Sequence, residues 1–297
     1  MSESLNFLDP SVLSGLDNLE LRARVVVEGF LSGLHKSPKR GFSVEFNDYR
    51  HYQRGDDLRH VDWKLYGRTD KLFIKQYEDE TNVRATIVLD TSASMAFGSE
   101  SGSKLTYGIT LASALAYFVT RQRDAVGLVT FDDRVLEFLP PQSRQPHLMR
   151  ILRTLSTVTP GAATDATKPL GDLAATLNKR SMVIFISDLL DDEERVISTL
   201  RNLRAMGNDV IVLHLLDNAE LHFPFNDSSE FIDMETSESY LANPNAIRGA
   251  YLDNLNAFLS DCKKKCQRSD IDYCLLNTSE PLDSALSTYM ARRAKGG

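Results

Sequence analysis

Apolar segments of strand length alternate with amphipathic segments of helix length from Val83 onward, and this alternation restricts the fold more than any other feature. The predicted strands are residues 85–90, 126–131, 135–139, 182–187, 210–216 and 271–276. The predicted helices are residues 104–121, 147–156, 169–178, 193–205 and 251–268. Alternation of this kind is typical of a mainly parallel sheet with helices on both faces. The predicted fold is therefore α/β, a doubly wound and Rossmann-like sheet in which residues 135–139 form an antiparallel edge strand.

The chain before Val83 has a different character. Residues 12–34 show helical apolar spacing, which predicts an N-terminal helical segment over residues 1–35. Residues 36–80 contain 8 of the 25 aromatic residues and two partly alternating segments, Phe42–Phe46 and Leu72–Tyr77. This pattern predicts a small β-containing accessory region. Residues 81–297 would form the sheet domain.

That domain is predicted to carry an insert near residues 217–245. Within the insert, Glu220–Glu235 contains Pro224 and an alternating segment from Phe231 to Met234. These residues are candidates to add strands to the accessory region.

Composition agrees with a globular protein, since hydrophobic residues make up 42% of the chain and charged residues 25%. No apolar run approaches the roughly 18 residues that a membrane-spanning helix needs. The N-terminus lacks a basic start before an apolar block, so no signal peptide is expected. Three cysteines cannot all pair within one chain. These features lead us to expect a soluble, cytoplasmic protein.

The net charge of −7 argues against a general nucleic-acid binder, because phosphate binding needs a basic surface. The charge is concentrated, since residues 187–240 contain 13 acidic and 3 basic residues. Two interpretations remain open for this region. It is either a solvated face or a docking surface for a basic partner.

Oxygen-bearing side chains follow two of the predicted strands, and another precedes a predicted helix. Asp90, Ser92 and Ser94 share one tight loop, Thr164 lies in a loop before a predicted helix, and Asp188 ends a strand. In a doubly wound sheet these loops share the carboxyl edge, where ligands bind. Oxygen ligands select Mg²⁺, Mn²⁺ or Ca²⁺ over softer metals. The five residues are therefore predicted to converge on one divalent ion.

The combination of Asp-x-Ser-x-Ser at Asp90–Ser94, a later Thr164-Asp165 and the strand-end Ser187-Asp188 resembles the metal-ion-dependent adhesion site of von Willebrand factor type A (vWA) domains. A second resemblance lies upstream, in a set of residues that is similar to the bacterial domain of unknown function fifty-eight. The set comprises Glu45-Phe46, Arg50, Tyr52, Gly55-Asp56-Asp57, Arg59, Asp62-Trp63-Lys64, Arg68 and Glu80.

The second resemblance covers nearly all of the chain from about Lys39 onward. It implies an upstream segment joined to a vWA domain, and it implies a partner, an AAA+ ATPase of the MoxR type. It does not supply a settled biochemical activity.

Two functions remain open. The first is a non-enzymatic adaptor that binds Mg²⁺ (or Mn²⁺ or Ca²⁺) and completes the metal's coordination with a carboxylate of a partner protein. The alternative is a metal-dependent phosphohydrolase, which would need a general base near the metal. Asp132, Asp165 and Asp191 are candidates for that base, although none has a recognisable catalytic motif. The binding function is favoured, and no catalytic residue is assigned.

The three cysteines also have two interpretations. Cys262 and Cys266 lie four residues apart on a predicted helix, and Cys274 follows on a strand. They could form a metal or redox site, but neither a Cys-x-x-Cys motif nor paired histidines accompany them. Buried, unreactive thiols are the favoured interpretation.

Overall fold

The computed structural model describes residues 18–36, 49–51, 66–68, 71–75, 83–99, 102–161, 181–190, 193–226, 229–232, 239–282 and 286–287. Two compact units are present, one formed by residues 1–31 with 83–297 and one by residues 32–82. In the smaller unit, β1 (Tyr49–His51) pairs antiparallel with β2 (Phe73–Lys75). The predicted strand over residues 72–77 is thus present at Phe73–Lys75, whereas residues 76–77 and Phe42–Phe46 lie outside the described residues.

The larger unit is built on a six-stranded sheet. Its strands are β3 (Arg84–Asp90), β6 (Ala125–Phe131), β7 (Val135–Gln142), β8 (Met182–Ser187), β9 (Asp209–Leu216) and β12 (Asp272–Asn277). The strand order is β12-β9-β8-β3-β6-β7. All neighbours are parallel except β6 and β7, which are antiparallel. The prediction of a mainly parallel sheet with an antiparallel edge strand is confirmed.

Helices cover both faces of this sheet, because the central strands are apolar on both sides. The helices that belong wholly to the larger unit are α2 (Lys104–Arg121), α3 (Gln145–Ser156), α4 (Glu193–Ala205), α5 (Asn218–His222) and α6 (Pro244–Arg268), and α1 (Leu19–Lys36) belongs to it as far as Leu31. α2 lies on the face that carries Leu89 and Leu215, since a Cβ placed on Gly108 would lie 3.1 Å from Leu89 Cδ1. α4 and α6 pack on the opposite face.

The core of that opposite face combines strand and helix residues. Val88, Val183 and Val212 from the sheet pack with Leu200 of α4 and Cys266 of α6. Phe131 and Phe185 stack in the same cluster with their ring centroids 5.7 Å apart. Burial on both faces explains why β3 and β8 are nearly continuous apolar segments in the sequence.

The N-terminal helix is confirmed as α1, whose residues Ala23, Val26, Val27 and Phe30 are buried. Phe30 makes an edge-on contact with Phe118 of α2, with ring centroids 6.3 Å apart. α1 therefore packs against α2. The predicted helix over residues 169–178 lies outside the described residues. α6 begins at Pro244, seven residues before the predicted start at Tyr251, because Asn243 caps it and Pro244 occupies its first turn.

The segment that was expected to add strands to the accessory region, Glu220–Glu235, contains one described strand. β10 (Ser229–Ile232) pairs antiparallel with β11 (Ser239–Ala242), a strand that was not predicted. Both strands belong to the larger unit. A second short hairpin, β4 (Gly98–Ser99) with β5 (Gly102–Ser103), joins the loop after β3 to α2. The two described strands of the insert thus supply each other's ladder hydrogen bonds.

Candidate functional site

The order of the sheet reverses between β3 and β8. The chain proceeds from β3 to β6 and β7 on one side, and then from β8 to β9 and β12 on the other. In open α/β sheets, ligands bind beyond the carboxyl ends of the strands at such a reversal. Asp90 ends β3, and Ser187 ends β8 immediately before Asp188. The topology therefore places two of the predicted ligand residues side by side.

Asp90 is held on both of its carboxylate oxygens. Ser187 Oγ donates a hydrogen bond of 2.7 Å to Oδ2, and the Ser92 backbone N–H donates one of 2.9 Å to Oδ1. The residue is 2% exposed. Burial, together with the nearby charge of Asp188, raises the pKa of Asp90 to about 7. A cation bound beside Asp90 would lower this pKa, because a nearby positive charge favours the ionised carboxylate.

Ser92 and Ser94 bring their hydroxyl groups together beside Asp90. The two Oγ atoms are 3.1 Å apart, because a single 3₁₀ turn (Ala93–Ala96) follows Ser92. Ser92 is fully buried, whereas Ser94 is half-buried. The hydroxyl pair therefore extends from the buried carboxylate towards the partly exposed end of the loop. Asp90, Ser92 and Ser94 are brought together as the spacing of the motif predicts.

Asp188 is paired with a buried cation that the sequence analysis missed. Lys104 Nζ lies 2.8 Å from Asp188 Oδ2 and 2.7 Å from Glu220 Oε1. Its side chain is 0% exposed. Burial alone would lower the pKa of Lys104, but the charges of Asp188 and Glu220 outweigh burial and raise it. The two acids therefore favour the charged form of Lys104 beside Asp188.

A sequence signal for Lys104 does exist. Lys104 lies one turn before Gly108, on the same face of α2 as Leu111 and Leu115. That face is buried. A lysine at a core-facing helical position usually has an acidic partner. The partner could not be named from sequence, because Asp188 and Glu220 are 84 and 116 positions away along the chain.

A second polar network continues from Glu220. Glu220 Oε2 accepts from the Asp217 backbone N–H, and Asp217 Oδ1 accepts from the Ala219 N–H, which together form a capping box at the start of α5. Asp217 Oδ2 accepts hydrogen bonds from Ser99 and from Thr278 Oγ1. The β4–β5 hairpin, α5 and the end of β12 are thus tied together around the buried acid.

His214 lies in β9, next to the strand that leads to Asp188. Its Nδ1 is 2.7 Å from the Tyr273 hydroxyl group, and it is fully buried. Burial lowers the pKa of His214 to about 4, although the charge of Asp188 acts in the opposite direction. The ring is therefore neutral at neutral pH and packs as part of the core.

The described part of the chain gives no position for Thr164, the fifth predicted ligand, or for Asp165 and Asp191. The loop that leads to Thr164 starts beside the site, since the Gly161 N–H donates a 2.6 Å hydrogen bond to the Thr91 carbonyl. A Cβ on Gly161 would lie 2.7 Å from Asp132 Oδ2. Asp132 is half-buried and accepts a hydrogen bond from the Arg134 N–H. Asp132 therefore lies beside this loop, whereas the residues that donate hydrogen bonds to Asp90 are Ser92 and Ser187.

The four described candidate ligands suit a hard divalent ion. They provide carboxylate and hydroxyl oxygens and a surplus of negative charge, which are the properties that Mg²⁺ and Ca²⁺ require. Within the described ranges, no three residues of the types His, Cys, Asp and Glu are grouped to hold a metal. Any ion at this place would therefore depend on the serine hydroxyls as well as on the two acids.

The cysteines are free thiols. Cys262 and Cys266 are buried in the core between α4 and α6, and burial raises the pKa of each to about 12. Thiols with such pKa values are largely un-ionised and poorly reactive. This arrangement agrees with the interpretation of buried, unreactive thiols.

No helix in the described ranges has both the length and the apolar character that crossing a membrane requires.

Two solved structures share the fold. BatB from Bacteroides thetaiotaomicron has a TM-score of 0.50 and 16% identity, over 72% of this chain and 98% of that one. An aerotolerance-related membrane protein from Bacteroides fragilis has a TM-score of 0.51 and 18% identity, over 71% of this chain and 99% of the other. At these identities the likeness concerns the fold alone. The architecture is vWA-like, with a mostly parallel central sheet and flanking helices.

Sequence comparison gives the family. An uncharacterized protein of Mycobacterium tuberculosis is 27% identical over 225 residues, which cover 73% of this chain and 68% of the relative. Residues 48–257, about seven tenths of the chain, match the family described as "Protein of unknown function DUF58". The matched residues include β1, β2 and the sheet as far as α6, so both compact units are involved. The chain therefore belongs to the DUF58 family.

Proposed function

We propose that this protein is a non-enzymatic adaptor that binds a partner protein through a divalent metal ion at the carboxyl edge of its sheet. One observation carries the proposal. Two buried acids, Asp90 and Asp188, lie at the ends of neighbouring strands where the strand order reverses, near enough for the charge of Asp188 to act on Asp90, and the hydroxyl pair of Ser92 and Ser94 adjoins Asp90. The vWA-like fold is consistent with a role in protein interaction.

Asp90, Ser92, Ser94 and Asp188 would hold the ion together with Thr164. Mg²⁺ is the preferred candidate, with Mn²⁺ or Ca²⁺ as alternatives, because every donor is oxygen. Bound metal would supply a Lewis-acidic position that an external carboxylate can occupy. The protein's own residues act on the two acids, since Ser187 orients Asp90 and Lys104 forms an ion pair with Asp188.

We propose an AAA+ ATPase of the MoxR type as the partner, on the basis of the family resemblance alone. The test is capture of a purified MoxR-type ATPase by the full chain, in Mg²⁺ and then in chelator. Capture is expected in Mg²⁺ only, and Asp90→Asn should abolish it. Equal capture in both buffers, unaffected by Asp90→Asn, would mean that the metal site does not dock the ATPase.

The competing hypothesis is a metal-dependent phosphohydrolase. A panel of phosphoesters with Mg²⁺ or Mn²⁺ separates the two functions. The adaptor function predicts no turnover above that of the Asp90→Asn variant. Robust turnover by the wild-type protein that disappears in Asp90→Asn would replace the adaptor hypothesis with an enzymatic one.

A further inference from the structure

We propose that Lys104 is a built-in counter-charge of the metal site, which weakens the binding of the divalent ion and favours the binding of an external carboxylate. The proposal rests on the proposed function, because it concerns the same site. It names a regulating residue that is not itself a metal ligand.

The contacts of Lys104 place a positive charge directly on a candidate ligand. Its Nζ is 2.8 Å from Asp188 Oδ2 and 2.7 Å from Glu220 Oε1. The centroid of the Phe97 ring lies 5.7 Å from Nζ, and the Lys104 side chain is 0% exposed. A metal ion that uses Asp188 therefore has to share its negative charge with Lys104.

Stability alone is a weak reason for this arrangement. Replacing a buried ion pair by well-packed apolar residues is often neutral or stabilising, because burying two charges costs much of what their attraction returns. Apolar neighbours such as Leu105 and Leu111 already pack the core-facing side of α2. The location of Lys104, against a residue of the candidate site, is better explained by an effect on the charge of that site.

The charges can be counted directly. Asp90, Asp188 and Glu220 contribute three negative charges when ionised, and Lys104 contributes one positive charge, so the cluster carries −2. One Mg²⁺ brings the cluster to neutrality. Without Lys104, the loaded cluster would keep a net charge of −1 and would repel an approaching carboxylate. Lys104 thus makes the ion bind less tightly and the partner's acid bind more readily.

Three variants form a charge series around the site. Glu220→Gln changes the cluster to −1, Lys104→Met changes it to −3, and Lys104→Met/Glu220→Gln returns it to −2. Titration calorimetry with Mg²⁺ alone should give the tightest binding for Lys104→Met, wild-type-like binding for the double variant and the weakest binding for Glu220→Gln. Each unit of charge is expected to change the affinity about tenfold, since charges a few Å apart in a partly buried site interact strongly.

The second measurement should give the reverse order. In saturating Mg²⁺, acetate is titrated and followed by NMR as the probe for an external carboxylate. Acetate should bind most tightly to Glu220→Gln and most weakly to Lys104→Met. Lys263→Met serves as the matched control, because Lys263 is an exposed lysine of α6, and neither affinity should change.

A merely structural role for Lys104 predicts a different pattern. If Lys104 only holds Asp188 in place, Lys104→Met and the double variant will both lose Mg²⁺ affinity, and that result overturns the proposal. Unchanged Mg²⁺ affinity in Glu220→Gln also overturns it. If Lys104→Met fails to fold, the double variant and Glu220→Gln decide. Absence of Mg²⁺ binding by the wild-type protein would refute the proposed function itself, whereas normal Mg²⁺ binding without the charge order refutes only this inference.

Discussion

Ser187 Oγ donates a 2.7 Å hydrogen bond to Asp90 Oδ2 across the boundary between β8 and β3. The pairing of Leu89 with Ile186 brings these two strand ends level with each other. Because Asp90 is buried and its other oxygen accepts from Ser92, its carboxylate has a fixed orientation. These two hydrogen bonds orient the first candidate ligand, which reduces the ordering cost of binding an ion.

Asp90→Asn should remove metal binding while it preserves the fold. The amide keeps an oxygen that can accept one of the two hydrogen bonds but loses the negative charge. Millimolar Mg²⁺ should raise the Tm of the wild-type protein. At an Mg²⁺ concentration of 100 times Kd, the free energy of unfolding should increase by about 2.7 kcal/mol. Mg²⁺ should not raise the Tm of Asp90→Asn. Asp253→Asn, at an exposed position of α6, is the control and should respond to Mg²⁺ as the wild type does. An equal Mg²⁺ response in Asp90→Asn would remove Asp90 from the ligand set.

The stability of the metal-free protein should fall with rising pH through the contribution of Asp90. Its folded pKa is about 7, raised first by burial and then by Asp188, whereas the usual value is 3.8. Between these values the folded protein holds a proton that the unfolded chain releases. The contribution is thus complete below about pH 4 and lost as pH rises through 7, with a slope of about 1.4 kcal/mol per pH unit at most.

Urea denaturation in chelator at several pH values, compared with Asp90→Asn, isolates this contribution. The pKa of His214 is lowered to about 4, so His214 makes the unfolding free energy rise with pH. Because His214 is present in both proteins, its contribution cancels from the difference between them. The difference in unfolding free energy between wild type and variant should therefore decline between pH 4 and 7. A constant difference would show that Asp90 is ionised in the folded protein throughout.

Phe185→Ala should be strongly destabilising. Phe185 is fully buried and stacks on Phe131 at 5.7 Å, so the truncation leaves a cavity in the core shared by the sheet, α4 and α6. A loss of about 3–5 kcal/mol is expected from urea denaturation. Leu241→Ala is the control, because Leu241 is 81% exposed on β11, and its effect should be below about 0.5 kcal/mol. A loss of less than 1 kcal/mol for Phe185→Ala would contradict the packing described here.

Two glycines should respond in opposite directions to alanine. At Gly127 an added Cβ would lie 2.7 Å from the Leu139 carbonyl oxygen, where β6 meets the irregular part of β7. Gly127→Ala should therefore cost about 1–3 kcal/mol. Gly249 lies within α6 and has no atom near its added Cβ, so Gly249→Ala should stabilise by up to about 1 kcal/mol. Thermal unfolding of both variants measures the two shifts, and equal signs would be inconsistent with this geometry.

The sequence by itself determined the fold class, the strand and helix periods and the position of the Asp90–Ser94 loop. These features are local: continuous apolar segments follow from burial on both faces, and a two-residue spacing of Asp90, Ser92 and Ser94 forces them onto one turn. Asp188 was also predictable as a strand end, since parallel strands of one sheet share their carboxyl edge.

Only the tertiary structure decided what Asp188 contacts. Lys104, Asp188 and Glu220 are distant in sequence, and their meeting depends on how α2 and α5 pack beside the strand ends. The same is true of Ser187, whose hydroxyl reaches Asp90 only because β8 lies next to β3. The pairing of β10 with β11 was likewise missed, because the alternation in such short strands does not specify their partner. Periodicity determines which face of an element is buried, whereas long-range charge pairing is decided by the packing of the whole domain.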